Sequence, residues 1–155
     1  MTLPTIKDFT VAEKPEDDLD GFHAWKNFGG LTMEVAYIKF CENPDCYQED
    51  FMWMGPRAFA FYFPVINRFI REEECAVEFD EITWILAYSI KMHFRSNEPV
   101  VQALSNQLLL LCDFVLESLR ALPDQDDRSR TVQEVADAWR DVRAQIACEG
   151  LGPRA

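Results

Sequence analysis

Residues 51–70, FMWMGPRAFAFYFPVINRFI, form the most apolar and most aromatic part of the chain. Four apolar residues in this aromatic stretch recur at the spacing of one helix face: Phe59, Phe63, Ile66 and Ile70. Pro56 suits the first turn of a helix, because the N–H that proline lacks has no partner there. Pro64 lies inside the pattern, where proline removes a backbone hydrogen bond and kinks a helix. We therefore predict a kinked helix or two abutting helices over residues 56–71, preceded by a short strand or extended segment at 51–54.

Two helices are predicted before the aromatic stretch from their capping residues. Asp18 or Asp20 can cap a short helix that ends at Gly29-Gly30, since glycine accepts the left-handed conformation common after a helix C-terminus. Thr32 can cap the next helix. The sequence Asn43-Pro44-Asp45 then predicts a turn.

Three more helices are predicted after the aromatic stretch. Asp80 can cap one that runs to about Phe94, and its second apolar face predicts that it is well buried: Trp84, Tyr88 and Met92. Pro99 opens the next, whose apolar side chains cover nearly its whole circumference, as in a central core helix. Thr131 and Glu134 form a capping box for the last helix. That helix carries a narrow apolar stripe: Val132, Val135, Trp139, Val142 and Ile146.

These segments predict a mainly α protein, a single-domain bundle of about five or six helices, with a short strand or hairpin as the alternative near residues 51–54. Residues 1–17 are expected to form a flexible N-terminal arm, 18–150 the globular domain and 151–155 a C-terminal tail. No run of 18 apolar residues is present, so we expect no membrane span. The five cysteines show no disulfide framework and the N-terminus resembles no secretory signal, so we expect reduced thiols and a cytoplasmic protein.

The charge balance indicates which classes of partner to expect. The net charge of −12 comes from 27 acidic and 15 basic residues. This excess of acid argues against nucleic acid and anionic membranes as partners, because both attract basic surfaces. The acids are grouped, notably in the acidic segment at 42–50 and in residues 72–81, and neither run contains a base.

No residue pattern indicates a catalytic centre, a cofactor or a metal. Cys41, Cys46 and Cys75, with His23 or His93, are the available soft ligands, but their spacing is not that of a zinc knuckle, so we predict no metal. Phosphate-binding glycine loops, a Gly-x-Ser-x-Gly turn and His-Glu-x-x-His are absent from the sequence. His93 falls near a helix C-terminus, where a positive or hydrogen-bonded imidazole is favoured. The pattern therefore predicts no catalytic residue and no cofactor.

Residues 52–64, MWMGPRAFAFYFP, resemble a pattern in small bacterial proteins, in which an apolar lead-in is followed by an aromatic helix ending in an apolar-proline pair. In its size and acidity the chain is similar to the immunity proteins of bacterial toxin systems. The resemblance implies a non-enzymatic protein that neutralises a toxin, and it assigns no functional residue.

Together, charge and resemblance predict an acidic protein-binding module that occludes the basic active-site surface of a protein partner, such as a toxin. The predicted partner-binding residues are Asp45, Tyr47, Glu49, Asp50, Trp53, Glu72, Glu73 and Glu74. The aromatic stretch is typical of a core. The alternatives are a small enzyme with a pocket under the aromatic helix, and a helical adaptor that oligomerises through the last apolar stripe. The oligomeric state stays open.

Overall fold

The structure is a computed structural model that describes residues 2–12, 14–72, 81–122 and 130–149. All regular secondary structure assigned in these residues is helical, which confirms the mainly α prediction. Six helices have ten residues or more: α2 Leu19–Phe28, α3 Met33–Glu42, α6 Pro56–Glu72, α7 Glu81–Arg95, α9 Ser105–Arg120 and α10 Val132–Glu149. Four are single turns: α1 Ile6–Phe9, α4 Pro44–Tyr47, α5 Asp50–Trp53 and α8 Pro99–Gln102. The single turns raise the number above five or six, because a periodic pattern is visible only over two or more turns.

Helix α6 is the centre of the fold. It begins at Pro56 and is one helix through Pro64 to Glu72, so the choice between one helix and two abutting ones is settled in favour of one. Pro64 lies on the exposed side, while most of the apolar residues around it are buried. The Tyr62 hydroxyl lies 2.6 Å from the carbonyl oxygen of Phe28, which ties the end of α2 to α6. The helix also contacts α1, α3, α7 and α8.

The strand or extended segment expected at 51–54 is wrong over most of its length. Residues 50–53 form the turn α5, because Phe51 and Met54 must both enter the core from one side, at 0% and 2% exposure. Only Met54 is extended, with ψ at 142°. Gly55 follows, and its N–H donates to the Phe9 carbonyl at 2.8 Å. A Cβ on Gly55 would lie 2.3 Å from the Asp8 carbonyl oxygen, so this close approach requires glycine.

Residues 1–17 were expected to form a flexible arm, and within them α1 packs on the domain. Thr5 and Asp8 form a capping box at α1. Phe9 is fully buried, with its ring 5.4 Å from that of Trp25 and 6.0 Å from that of Tyr62. The segment therefore closes one side of the core formed by α2 and α6.

Local capping signals are observed where they were predicted. The Asp18 side chain accepts from the Gly21 N–H at the start of α2. Thr32 accepts from the Val35 N–H at the start of α3. The capping box of α10 is present, with the Thr131 N–H donating to Glu134 at 2.8 Å. Asp80, the expected cap of α7, lies outside the described residues.

Helix α9 differs from its prediction in two respects. We expected a central core helix, but Leu110 is 63% exposed while Leu108 and Leu111 are buried, so α9 packs mainly on one side. Its apolar residues exceed the surface that its neighbours can cover. A continuous helix from Pro99 is also wrong, because the chain forms α8 first and begins α9 at Ser105.

Candidate functional site

The acidic segment runs from Glu42 at the end of α3 through α4 to Asp50, the first residue of α5. Asn43 caps α4 through its side chain, which accepts from the Cys46 N–H at 3.4 Å. Glu42, Asp45 and Glu49 are exposed, and the described residues offer no ion-pair partner to any of them. Three carboxylates of this segment are therefore free to face a partner.

Asp50 has a different environment from the other acids of the segment. It is only 5% exposed, and its carboxylate accepts from Asn27 Nδ2 at 2.8 Å and lies 3.3 Å from His23 Nδ1. Burial raises the pKa of Asp50, against the lowering effect of its hydrogen bonds to Asn27 and His23. This carboxylate joins α5 to α2 and is not part of the exposed acidic surface.

The two aromatic candidates, Tyr47 and Trp53, differ in their exposure. Tyr47 is half-buried and packs edge-on against Phe28, with the ring centroids 5.8 Å apart. Lys39 Nζ lies 4.8 Å from the centroid of the Tyr47 ring. Trp53 is 42% exposed, at the C-terminal end of α5. Of the pair, Trp53 offers the larger free ring surface.

The second acidic group is only partly described. Glu72 accepts from Arg68 Nε at 2.7 Å, and Arg68 also binds Glu34 at 2.9 Å. Glu73 and Glu74 lie outside the described residues. The Phe40 ring contacts Phe51 at 5.2 Å and Phe69 at 4.8 Å. One ring thus brings the two ends of the aromatic stretch together, although Glu72 is already paired.

His93 is part of the core. It is 6% exposed and its ring stacks on Phe59, with centroids 4.0 Å apart and planes at 16°. Its Nε2 donates to the Phe51 carbonyl at 2.7 Å, because a carbonyl only accepts. Burial lowers the pKa of His93 to about 4, so the imidazole is neutral at pH 7. The hydrogen-bonded alternative is therefore observed and the positive one is wrong.

The described cysteines, Cys41, Cys46, Cys112 and Cys148, form no disulfide with one another, and Cys75 of the candidate zinc set lies outside the described residues. Cys112 is buried, as expected, and burial raises its pKa to about 12. No group of three or more histidine, cysteine, aspartate or glutamate side chains in the described part of the chain is arranged to hold a metal ion.

Sequence reasoning missed a groove of about 580 Å³ between α7 and α10, which we call the aromatic groove. Its lining is Trp84, Ala87, Tyr88, Lys91, Glu134, Asp137, Ala138, Arg140, Asp141, Val142 and Ala144. The second apolar face of α7 was expected to be buried, but Tyr88 is 46% and Met92 38% exposed. The sequence signal for this groove was the aromatic pair Trp84 and Tyr88. Only the position of α10 in the structure shows that this pair borders an open groove. Helix α6 contributes no residue to this groove.

The comparisons with known proteins supply no relative. No family model, no curated protein and no solved structure matches the chain. Among the helices of the described residues, none combines the length and the apolarity needed to cross a membrane. Function must therefore be argued from the surfaces themselves.

Proposed function

We propose that this protein is a non-enzymatic binding module whose acidic segment occludes a basic surface of a protein partner, as the immunity protein of a bacterial toxin does. The observation that carries the proposal is the set of exposed acids without ion-pair partners in the described residues: Glu42, Asp45 and Glu49. No lysine or arginine occurs from residue 40 to residue 56, so the nearest sequence neighbours do not neutralise them.

The distribution of bases elsewhere supports the same conclusion. Six basic side chains of the described residues are held by acids: Arg57, Arg68, Lys91, Arg130, Arg140 and Arg143. Lys39 lies over the Tyr47 ring within the acidic segment, but one base against Glu42, Asp45 and Glu49 leaves a net negative charge. That charge can steer a basic partner toward the segment. Trp53 lies beside this charge, and an exposed tryptophan within a polar rim is a common anchor of protein interfaces.

The proposal predicts the kinetics of partner binding. The partner is captured from lysate of the source organism with the parent protein, identified by cross-linking and mass spectrometry, and then purified. Neutralising the acidic segment by E42Q, D45N and E49Q together should lower the association rate constant by roughly tenfold at low salt and flatten its salt dependence. Trp53→Ala should act mainly on the dissociation rate.

A second triple variant controls for total charge. Glu16, Glu98 and Glu117 are exposed and have no ion-pair partner in the described residues, so E16Q, E98Q and E117Q change the net charge by the same amount. This control should keep most of the parental association rate. Equal losses in both triple variants would show that only the net charge matters, and unchanged binding by both would place the interface elsewhere.

A further inference from the structure

The aromatic groove combines two features that recognise a planar cation. Trp84 and Tyr88 stand one turn apart on α7 with nearly parallel rings, 9° between planes and 6.1 Å between centroids. Tyr88 is 46% exposed, and no cation of the described residues lies over its ring. A guanidinium group stacks well on such a ring because of its flat, weakly hydrated faces.

Arg130 already stacks its guanidinium on an aromatic ring beside the groove. Its guanidinium carbon lies 3.6 Å from the Trp84 ring centroid, and Glu81 holds the same group through bonds of 3.0 and 3.4 Å. One arginine is therefore held by an aromatic ring and a carboxylate together. The Tyr88 ring is the next one along α7 and has no such occupant.

The charged residues of the groove lining sum to a net charge of −1. Three of its lining residues carry carboxylates, Glu134, Asp137 and Asp141, and two are basic, Lys91 and Arg140. Lys91 pairs with Asp141, and Arg140 Nη1 lies 2.6 Å from Asp137 Oδ1. The carboxylates thus outnumber the bases by one. Asp137 and Asp141 already bind cations of this chain, and Glu134 accepts from Thr131. A cation entering the groove would compete with these internal bases.

We propose that the aromatic groove binds an arginine side chain presented by a peptide segment of a protein partner. The guanidinium stacks on Tyr88 and shares the Asp137 carboxylate with Arg140 and Gln133, which both donate to Oδ1. The volume of about 580 Å³ exceeds what one side chain fills, and Ala87, Ala138 and Val142 provide apolar surface for the arginine stem and its neighbours. This site is separate from the acidic segment, so it stands or falls independently of the proposed function.

The ligand side of the test uses three short peptides on the full chain. An acetylated and amidated Ala-Ala-Arg-Ala-Ala is titrated, together with versions carrying citrulline or glutamate in place of arginine. Binding is followed by the NMR shifts of the Trp84 indole and Tyr88 ring signals. We expect saturable binding of the arginine peptide at millimolar concentration. Citrulline, which keeps the shape and removes the charge, should weaken binding by about tenfold, and glutamate should abolish it.

The protein side of the test uses variants at exposed positions. Tyr88→Ala should lower the affinity for the arginine peptide at least threefold. Met92→Ala is the matched control, one turn further along α7 at 38% exposure and outside the groove lining, and it should leave the affinity unchanged. Arg140→Gln removes the charged internal competitor for Asp137 and should raise the affinity.

Several results would overturn the proposal. These are the absence of saturation by the arginine peptide at millimolar concentration, equal binding of the citrulline or glutamate peptide, and equal effects of Tyr88→Ala and Met92→Ala. A lower affinity in Arg140→Gln would contradict the competition between Arg140 and the ligand for Asp137, and tighter binding of the glutamate peptide would show that the groove prefers an anion.

Discussion

His93 joins three helices from inside the core. It belongs to α7, donates to the carbonyl of Phe51 in α5 and stacks on Phe59 in α6. Burial opposes its protonation and lowers its pKa from 6.5 to about 4. Between these two values the unfolded chain binds a proton at this position and the folded chain does not. The free energy of unfolding therefore falls as the pH falls through that interval.

This linkage predicts a pH-dependent loss of stability that is specific to His93. The lowered pKa corresponds to about 3 kcal/mol lost between pH 6.5 and pH 4. His93→Gln can still donate a hydrogen bond but does not titrate, so it should be less stable than the parent at pH 7 and lose less on acidification. Urea unfolding of both proteins at several pH values measures the difference. Parallel pH profiles would contradict this account of His93.

The proline inside α6, Pro64, lies on the face of the helix that does not pack into the core. Pro64 is exposed, and its ring nitrogen cannot donate to the carbonyl of Ala60 one turn earlier. The buried face of α6 holds the helix together nonetheless. Packing of a long apolar face thus outweighs one unfavourable residue.

Pro64→Ala should raise the free energy of unfolding by about 1–2 kcal/mol. Alanine restores the backbone hydrogen bond and removes a helix penalty of about 3 kcal/mol, partly offset by the greater freedom of the unfolded chain. Pro99→Ala is the control, since Pro99 occupies the first position of α8, where proline costs little. Thermal and urea unfolding measure both variants. A Pro64→Ala protein no more stable than the parent would show that α6 needs the proline geometry.

At the scale of the whole molecule, α10 closes the core of a single chain. The stripe expected on this helix packs against α7 and α9, with Val135, Trp139 and Ile146 all at 0% exposure. The Trp139 Nε1–H donates to the Thr83 carbonyl at 3.2 Å. An adaptor that oligomerises through this stripe would have to expose these residues first, so the packing argues against that alternative.

Trp139→Ala should cost about 3–5 kcal/mol, the range for removing a large buried ring, and leave the oligomeric state unchanged. Trp53→Ala makes the same chemical change at 42% exposure and should cost much less. Urea unfolding and sedimentation velocity test both quantities. If Trp139→Ala kept the parental stability but altered the oligomeric state, the stripe would be an interface.

Features that depend on near neighbours in the chain could be read from the sequence. The caps at Asp18, Thr32 and Thr131 and the start of α6 at Pro56 each involve contacts within about four residues, so the sequence alone determined them. The mainly α class followed for the same reason. The exposure of the carboxylates at 42–49 was also predictable, since unpaired charge is costly to bury.

The tertiary structure alone decided which predicted surfaces exist. Asp50 is buried because α2 brings Asn27 and His23 to it, and these partners are 23 and 27 residues away in the chain. Leu110 is exposed because none of the described helices covers that side of α9, and the aromatic groove exists because α10 leaves Tyr88 uncovered. Burial depends on contacts between distant segments, and a local pattern records how apolar a side chain is without recording whether another helix reaches it.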